Sequence, residues 1–443
     1  MTGVSSAMAT VVAMLMLWEF LFTGKVIRFS SICAMGLTIG YGPGTFNTWL
    51  TLPRAGLPLA ASIGQTVPEL ADGVAAALLG CAVLFCVGEL IEKPAWIAVE
   101  KLRITGGMKW LVLVNSAIIA VAFAAGKFHQ GGLTTATSHS AGSLAEFLSF
   151  LLGATVVMTG VVFFGGLSGK DKYIFGLILV GLLGLLITQG RRDLVYPALT
   201  IIPMARYAGY QWNRLTVSRI VLITLGVGFL FVGVLAYQLL RLAGETVSST
   251  SISAETDQAT HWAKEGQAWK IATASSLQNV KRRTLLVVFL SDLLYHARTE
   301  KTANGRDLLL QFEWAIPSVI FPNKPATAEE EVAAVTYHEF YPDESNSLFT
   351  AGALDFGLWG ILIYPIAVVM LCSLTQRLAS VYFSYEVALF GLFMFTLAMI
   401  APEQQMSSYF VQVRNFIGLS AFVYVLSKLP AFQADHAASG ANA

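Results

Sequence analysis

The chain has 443 residues, of which 55% are hydrophobic and only 12% charged, with a net charge of +1 and a mean hydropathy of +0.65. A soluble domain carries about 25% charged residues, so this composition excludes an ordinary soluble globular protein and points to an integral membrane protein. The charge balance argues neither for nor against nucleic acid as a partner.

The first apolar run, 6–22, has no basic residues before it and no A-x-A site after it, so it reads as a first span rather than a cleaved leader. At about 20 apolar residues per span, windows near 4–23, 29–50, 72–91, 110–126, 144–167, 173–190, 193–209, 219–242, 350–373, 381–401 and 409–428 predict an all-α polytopic membrane protein of eleven transmembrane helices. The seventh window contains Pro197 and Pro203, which membrane helices tolerate. The organisation is then membrane helices one to eight over 1–243, a large loop over 244–349, helices nine to eleven over 350–430, and a small polar tail, 431–443, expected to be disordered. All four cysteines (Cys33, Cys81, Cys86 and Cys372) fall in apolar runs. There they behave as small hydrophobes, which argues against a disulfide framework in the loop and against a thiolate metal site.

Lys and Arg in the short connectors set the orientation. One side receives Lys25, Arg28, Lys93, Lys101, Arg103, Lys109, Lys170, Lys172, Arg214, Arg219, Arg377 and Lys428, whereas the other short connectors hold only Arg54, Lys127 and the pair Arg191-Arg192. The first set is therefore read as cytoplasmic, with the N-terminus outside, the C-terminus inside and the large loop outside, in the periplasm of a Gram-negative host.

That loop holds roughly half of the acidic side chains of the chain. Its start, 246–260, is rich in Ser and Thr and reads as flexible. From Leu277 to Arg298, the apolar positions Val280, Leu285, Val288, Leu293 and Leu294 alternate with Lys281, Arg282, Arg283, Asp292 and His296, an amphipathic helix pattern. A second candidate helix runs from Arg306 to Ile316, and both would lie on the bilayer surface or partly re-enter it. Glu329-Glu330-Glu331 reads as a solvated run, and Lys281-Arg282-Arg283 as a solvated helix face.

Arg191 and Arg192 lie on the face where positive charge is sparse. They either snorkel to head groups or form an anion site able to hold a diphosphate by bidentate, charge-assisted bonds. Arg414, just inside the last span, is either a functional intramembrane charge or the partner of Glu403. The run Tyr337-His338-Glu339-Phe340-Tyr341-Pro342-Asp343-Glu344 gathers an imidazole and three carboxylates immediately before a span. Transfer to a hydroxyl commonly needs a general base, so His338, Glu339 and Asp343 are candidates for it, with a solvent-facing role the alternative for His338. There is no G-x-x-x-x-G-K-[ST], no H-E-x-x-H, no cysteine cluster and no DxD-like pair in the first outer loop. An ATP-driven pump, a zinc protease and a metal-dependent lipid-linked glycosyltransferase are disfavoured accordingly.

Two segments carry a family resemblance. Thr188-Gln189-Gly190-Arg191-Arg192-Asp193-Leu194 is one. The other is Ile316-Pro317 through Phe321-Pro322-Asn323-Lys324-Pro325, followed by Asn346 and Asp355-Phe356-Gly357-Leu358-Trp359-Gly360. Together with the topology, they resemble the O-antigen and oligosaccharide repeat-unit polymerases (Wzy-type) of bacterial surface polysaccharide synthesis, within the membrane glycosyltransferase (GT-C-like) class. The related O-antigen ligases carry histidine directly before the junction asparagine, where this chain has Ser345 before Asn346, a departure that favours polymerase over ligase.

The resemblance implies a cell inner-membrane enzyme that joins undecaprenyl-diphosphate-linked oligosaccharides at the outer face. The growing chain is the donor, and a sugar hydroxyl of a new lipid-linked unit attacks its anomeric carbon. Arg191 and Arg192, with Arg414 and Arg282 behind them, would hold the leaving diphosphate, and His338, Glu339 or Asp343 would act near the hydroxyl. Guanidiniums at the leaving group would make a divalent metal unnecessary, so no metal and no cofactor are expected. The implied partners are the lipid-linked oligosaccharide and membrane lipid, with a chain-length regulator as a further candidate and no nucleic acid. A secondary transporter or a polysaccharide flippase is the rival of another class, but no internal repeat is evident and the large loop would be surplus to it.

Overall fold

A computed structural model describes residues 28–51, 67–92, 104–127, 143–165, 169–189, 191–207, 217–247, 252–274, 285–317, 320–324, 329–338 and 346–427, with Val11, Met14 and Leu167 besides. Among these every regular element is a helix. In chain order they are α1 (Phe29–Thr51), α2 (Val67–Ile91), α3 (Gly106–Ala124), α4 (Ser143–Phe164), α5 (Gly169–Gln189), α6 (Arg191–Tyr207), α7 (Val217–Val247), α8 (Ile252–Lys264), α9 (Leu285–Thr299), α10 (Arg306–Ala315), α11 (Glu329–Tyr337), α12 (Leu348–Phe356), α13 (Leu358–Tyr382), α14 (Tyr385–Ile400) and α15 (Met406–Ser427). Three described stretches, Gly106–Ala124, Phe147–Phe164 and Leu358–Tyr382, are long and apolar enough to cross a membrane, and Phe29–Gly42, Asp72–Gly88, Phe231–Ala243 and Tyr385–Ile400 are shorter apolar helices. Apart from Val11 and Met14, the first predicted span lies outside the described residues, as does the tail.

The chain forms two compact units, one of Met1–Ala98, Val280–Phe383 and Ala398–Ser420, the other of Val99–Asn279, Ser384–Leu397 and Ala421–Ala443. The polar segment is therefore not one body: its first part belongs to the second unit and its remainder to the first. In the second unit α4 packs against α3, α5 and α6. Leu151, Leu152, Ala154, Val156, Val157, Met158, Val161 and Val162 on α4 are all buried, as a helix apolar on every side must be. Thr105 caps α3, its hydroxyl accepting from the Met108 amide at 3.1 Å and donating to Glu386 at 2.7 Å. The stretch that composition reads as flexible holds α8, with Lys264 and His261 in its last turn, where cations favour the helix dipole.

In the first unit α1, α2, α9, α12 and α13 pack together. Helix α9 is a correction to the sequence reading. It starts at Leu285, and Leu286, Val287, Val288, Phe289, Leu290, Leu293 and Leu294 are all buried, so it is a core helix of the unit rather than a surface one. Glu92 anchors the start of α1. Its carboxylate accepts from the Phe29 amide at 3.2 Å, the Ser30 amide at 3.0 Å and the Ser373 hydroxyl at 2.7 Å, as well as from the Ser30 hydroxyl.

The window 350–373, read as one span, is broken in the structure. Gly357 has φ 59° and ψ −139°, a region open essentially only to glycine, and it turns the chain from α12 into α13. The two helices then cross backbone to backbone. A Cβ on Gly352 would stand 2.3 Å from the Gly360 carbonyl oxygen, so neither position has room for a side chain. Both glycines of the Gly357-Leu358-Trp359-Gly360 turn thus have a steric reason. Gly360→Ala is expected to lower the thermal midpoint of the detergent-purified protein, overpacking of this kind costing about 1–3 kcal/mol. Gly181→Ala, with nothing within 4 Å of the added Cβ, should leave it unchanged or raised, and equal midpoints for both variants would contradict the crossing.

Candidate functional site

The sequence between α9 and α12 contributes two short helices, and the first of them, α10, is held at both ends. Asn304 and Gly305 precede it with φ 55° and 84°, a pair of left-handed residues that doubles the chain back. The Ala303 and Asn304 amides donate to the Leu354 and Asp355 carbonyls at 2.8 and 3.0 Å. Gly305 has no side chain to cap α10, and the cap comes from a distance: the Asp355 carboxylate accepts from the Asp307 amide at 3.0 Å and the Leu308 amide at 2.9 Å, and the Tyr364 hydroxyl donates to it as well. A buried anion at the positive end of a helix dipole answers two of the four amides that a helix leaves open there.

Cations meet the other end. Arg414 Nη1 donates to the Ala315 carbonyl at 2.7 Å, and Lys324 Nζ donates to the Trp314 carbonyl at 2.6 Å with its charge 5.3 Å from the Trp314 ring centroid. The remaining Arg414 nitrogens, Nε and Nη2, donate to Asn415 Oδ1 at 3.2 and 3.1 Å. Between the ends, Gln311 donates to Asp307 Oδ1 at 3.2 Å and accepts from the Ser407 amide at the start of α15 at 3.3 Å. Asp355 and Lys324, quoted from the motif without a role, and Arg414 from the last span therefore all serve the same ten-residue helix.

Beneath α10 lies a buried polar nest. The acidic run reads as solvated in sequence, but the structure corrects this for two of its three members. Glu329 is 0% and Glu330 7% exposed, and only Glu331 reaches the surface, because the first turn of α11 faces inward. Asn346 at the loop-to-span junction donates to Glu330 at 3.1 Å. Its neighbour Ser347 caps α12 in a reciprocal box with Thr350 and exchanges a 2.6 Å hydrogen bond with the Tyr41 hydroxyl.

Among the described residues, both Glu329 oxygens, Asp307 Oδ2, Asn346 Oδ1 and the Tyr337 hydroxyl are buried without a hydrogen-bond partner. Burial first, and then the Asp355 charge, pushes the Asp307 carboxyl up to about 7, with Gln311 pulling it down. Burial and then Asp307 raise Glu329 well above the usual carboxylate range. The Thr350 hydroxyl beside Glu329 opposes this only in part, its proton already given to the Ser347 carbonyl at 2.9 Å. Oxygens of this kind favour the protonated form, which is the direction in which both Glu329 and Asp307 are shifted. Among the described residues no three His, Cys, Asp or Glu side chains are grouped to hold a metal ion.

His296 closes the nest on the α9 side. Its ring is buried and stacked on Tyr337, with centroids 4.6 Å apart and planes 20° apart, and Nδ1 bonds Glu300 at 3.0 Å while Nε2 lies 3.8 Å from Asp292. Burial, with Glu300, Asp292 and Asp355 behind it, pushes Tyr337 up to about 12.

Of the residues expected from sequence, His338 is exposed, in the left-handed conformation (φ 60°) just beyond the last residue of α11. That is the position where a helix commonly ends in such a residue. Glu339, Asp343 and Arg282 lie outside the described residues, and Arg191 and Arg192 open α6 in the second unit, their side chains likewise outside the description. Asp307, Gln311, Glu329, Tyr337 and His296 carry no role in the sequence reading. The spacing of Asp307, Gln311 and Ala315 marks one stripe of α10 (all three are buried), but periodicity does not say which stripe faces inward.

The Asp307 carboxyl gives a pH signature. Its value in the folded chain lies above the 3.8 of an unperturbed aspartate. Its contribution is therefore whole below the unfolded value and lost as pH rises through about 7. Asp307→Asn should flatten part of the fall in thermal midpoint between about pH 4 and 8 and be more stable than wild type at the upper end; parallel profiles would refute the assignment. Compared with known proteins, the chain matches no family model, no curated protein and no solved structure.

Proposed function

We propose that the chain is a polymerase of lipid-diphosphate-linked oligosaccharide repeat units, with eleven spans in the GT-C-like manner and glycosyl transfer on the periplasmic face of a bacterial inner membrane. The observation that carries the reading is the convergence on α10. Lys324 from the proline–lysine–proline segment, Asp355 from the block that opens the next span and Arg414 from the last span all bond that helix. Two parts of the second resemblance segment and a charge from the last span thus meet on one helix.

In this reading α11 is the mount for the base. Its first turn is buried through Glu329 and Glu330, its last residue, Tyr337, is stacked on His296, and His338 emerges exposed from that anchored end. An exposed imidazole on a rigid support, followed in sequence by Glu339 and Asp343, suits deprotonation of an acceptor hydroxyl. Arg414 has its donors engaged by Ala315 and Asn415, so it positions α10, and the diphosphate falls to Arg191 and Arg192. Both stand in the first turn of α6, where the helix dipole disfavours cations by about 0.3–1 kcal/mol each. An anion bound there would remove that cost and gain the open amides of the helix start. Two guanidiniums would neutralise the leaving diphosphate, and no divalent cation is called for.

The test is chain extension of purified lipid-diphosphate repeat units by the reconstituted protein, with and without EDTA. Extension unaffected by EDTA is expected, along with its loss in Arg191→Ala at unchanged membrane insertion. Extension by Arg191→Ala at the wild-type rate would remove the diphosphate assignment. In cells, loss of the protein should leave surface polysaccharide one repeat unit long; full-length polymer left off its acceptor would point instead to a ligase, and absence of all surface lipid-linked sugar to a flippase.

A further inference from the structure

Helix α10 is inside out. Its inward stripe is Asp307, Gln311 and Ala315, at 0%, 1% and 6% exposure, while Leu309 and Phe312 on the opposite stripe are 58% and 52% exposed. A helix washed by water on its outer side shows the reverse pattern, apolar in and polar out. The inward polar stripe is not a defect, since its groups bond Asp355, Ser407 and one another. The outward apolar stripe needs an apolar medium, and its neighbours indicate which.

At the start of α10, a Cβ on Gly305 would lie 3.3 Å from the Phe356 ring, and Phe356 leads through Gly357 into α13. That helix is long and apolar enough to cross a membrane. It carries an exposed apolar stripe at Trp359, Ile363, Met370 and Leu374, spaced by whole helical turns as a lipid-facing stripe should be. At its middle, Phe312 stands edge-on to Phe410 of α15, with centroids 5.5 Å apart. The apolar face of α10 thus continues the lipid-facing surface of a span at the level where that span begins. Lys301 and Arg306, both exposed, stand at the same end, where cations meet lipid phosphates.

We infer that α10 is an interfacial helix lying along the bilayer surface, with Leu309 and Phe312 in the acyl layer and its polar stripe turned into the protein. The occupant of the apolar face is bilayer lipid, not a second protein. A ten-residue helix is only about 15 Å long, too short to cross, and Lys301 and Arg306 at its start place that end at the level of the head groups. This inference is independent of the polymerase reading, because it concerns only where one helix sits.

The test uses nitroxide labels at Leu309→Cys, Phe312→Cys and Arg306→Cys in a Cys86→Ser background, the other three cysteines being buried. The full-length protein is reconstituted in phosphatidylethanolamine–phosphatidylglycerol vesicles, and label collisions with oxygen and with a water-soluble nickel chelate are compared. Labels at 309 and 312 are expected to meet oxygen in preference to nickel, and the label at 306 the reverse. Nickel preference at 309 and 312 would put that face in water, and low collision with both probes would put it under protein; either result overturns the inference. Leu309→Asp supplies a check free of labels. A lowered thermal midpoint in the same vesicles is expected, whereas a midpoint equal to wild type, as at a water-facing position, overturns the inference too.

Discussion

A buried carboxylate answered by helix amides is the constraint on which the first unit depends. Asp355, 0% exposed, is satisfied by two amides of α10 and the Tyr364 hydroxyl. An uncompensated charge in such a place would cost several kcal/mol, on the order of the effective desolvation penalty per ion, so Asp355 and the start of α10 hold each other: the helix needs an acceptor and the anion needs donors. Glu92 repeats the device at the start of α1, with Phe29, Ser30 and Ser373 as its donors. In both places a buried carboxylate is answered by the open amides at the start of a helix.

The same anion sets the state of its neighbours. Asp307 offers its amide to Asp355 and so brings its own carboxyl into the same dry space. The Asp355 charge then adds to burial in raising Asp307, and Asp307 adds to burial in raising Glu329. The seat of α11 is consequently shifted toward the protonated forms of Asp307 and Glu329, and the exposed His338 follows directly after the last residue of α11.

Much of the fold was legible because hydropathy and helix length are local properties. From the second onward, each predicted span except 350–373, which is split between α12 and α13, has a helix at its position, within a few residues at either end. The failures share a cause. The break at Gly357 hides inside a continuous apolar window, since what it encodes is a dihedral angle and a helix crossing. The burial of α9 and of the first turn of α11 depends on what packs over them, and a run of three glutamates has the composition of a solvated face whichever way it points. In the site, the motif segments were visible and their structural roles were not. Asp355, Lys324 and Arg414 are brought together by α10, whose ends attract opposite charges, and that is a relation between distant residues.

Helix α10 shows most clearly what a periodic pattern leaves open. Leu309 and Phe312 on one stripe with Asp307 and Gln311 on the other specify an amphipathic helix but not the medium on either side. The burial of Asp307 and Gln311 and the bond from the Ser407 amide to Gln311 settle the matter, because they fix the polar stripe toward the protein and so leave the apolar stripe to whatever lies outside. With lipid there, α10 becomes a partition between hydrocarbon and a proton-holding polar nest. Its two faces are reversed because the medium on the outer side and the polar groups on the inner side are both met by one short helix.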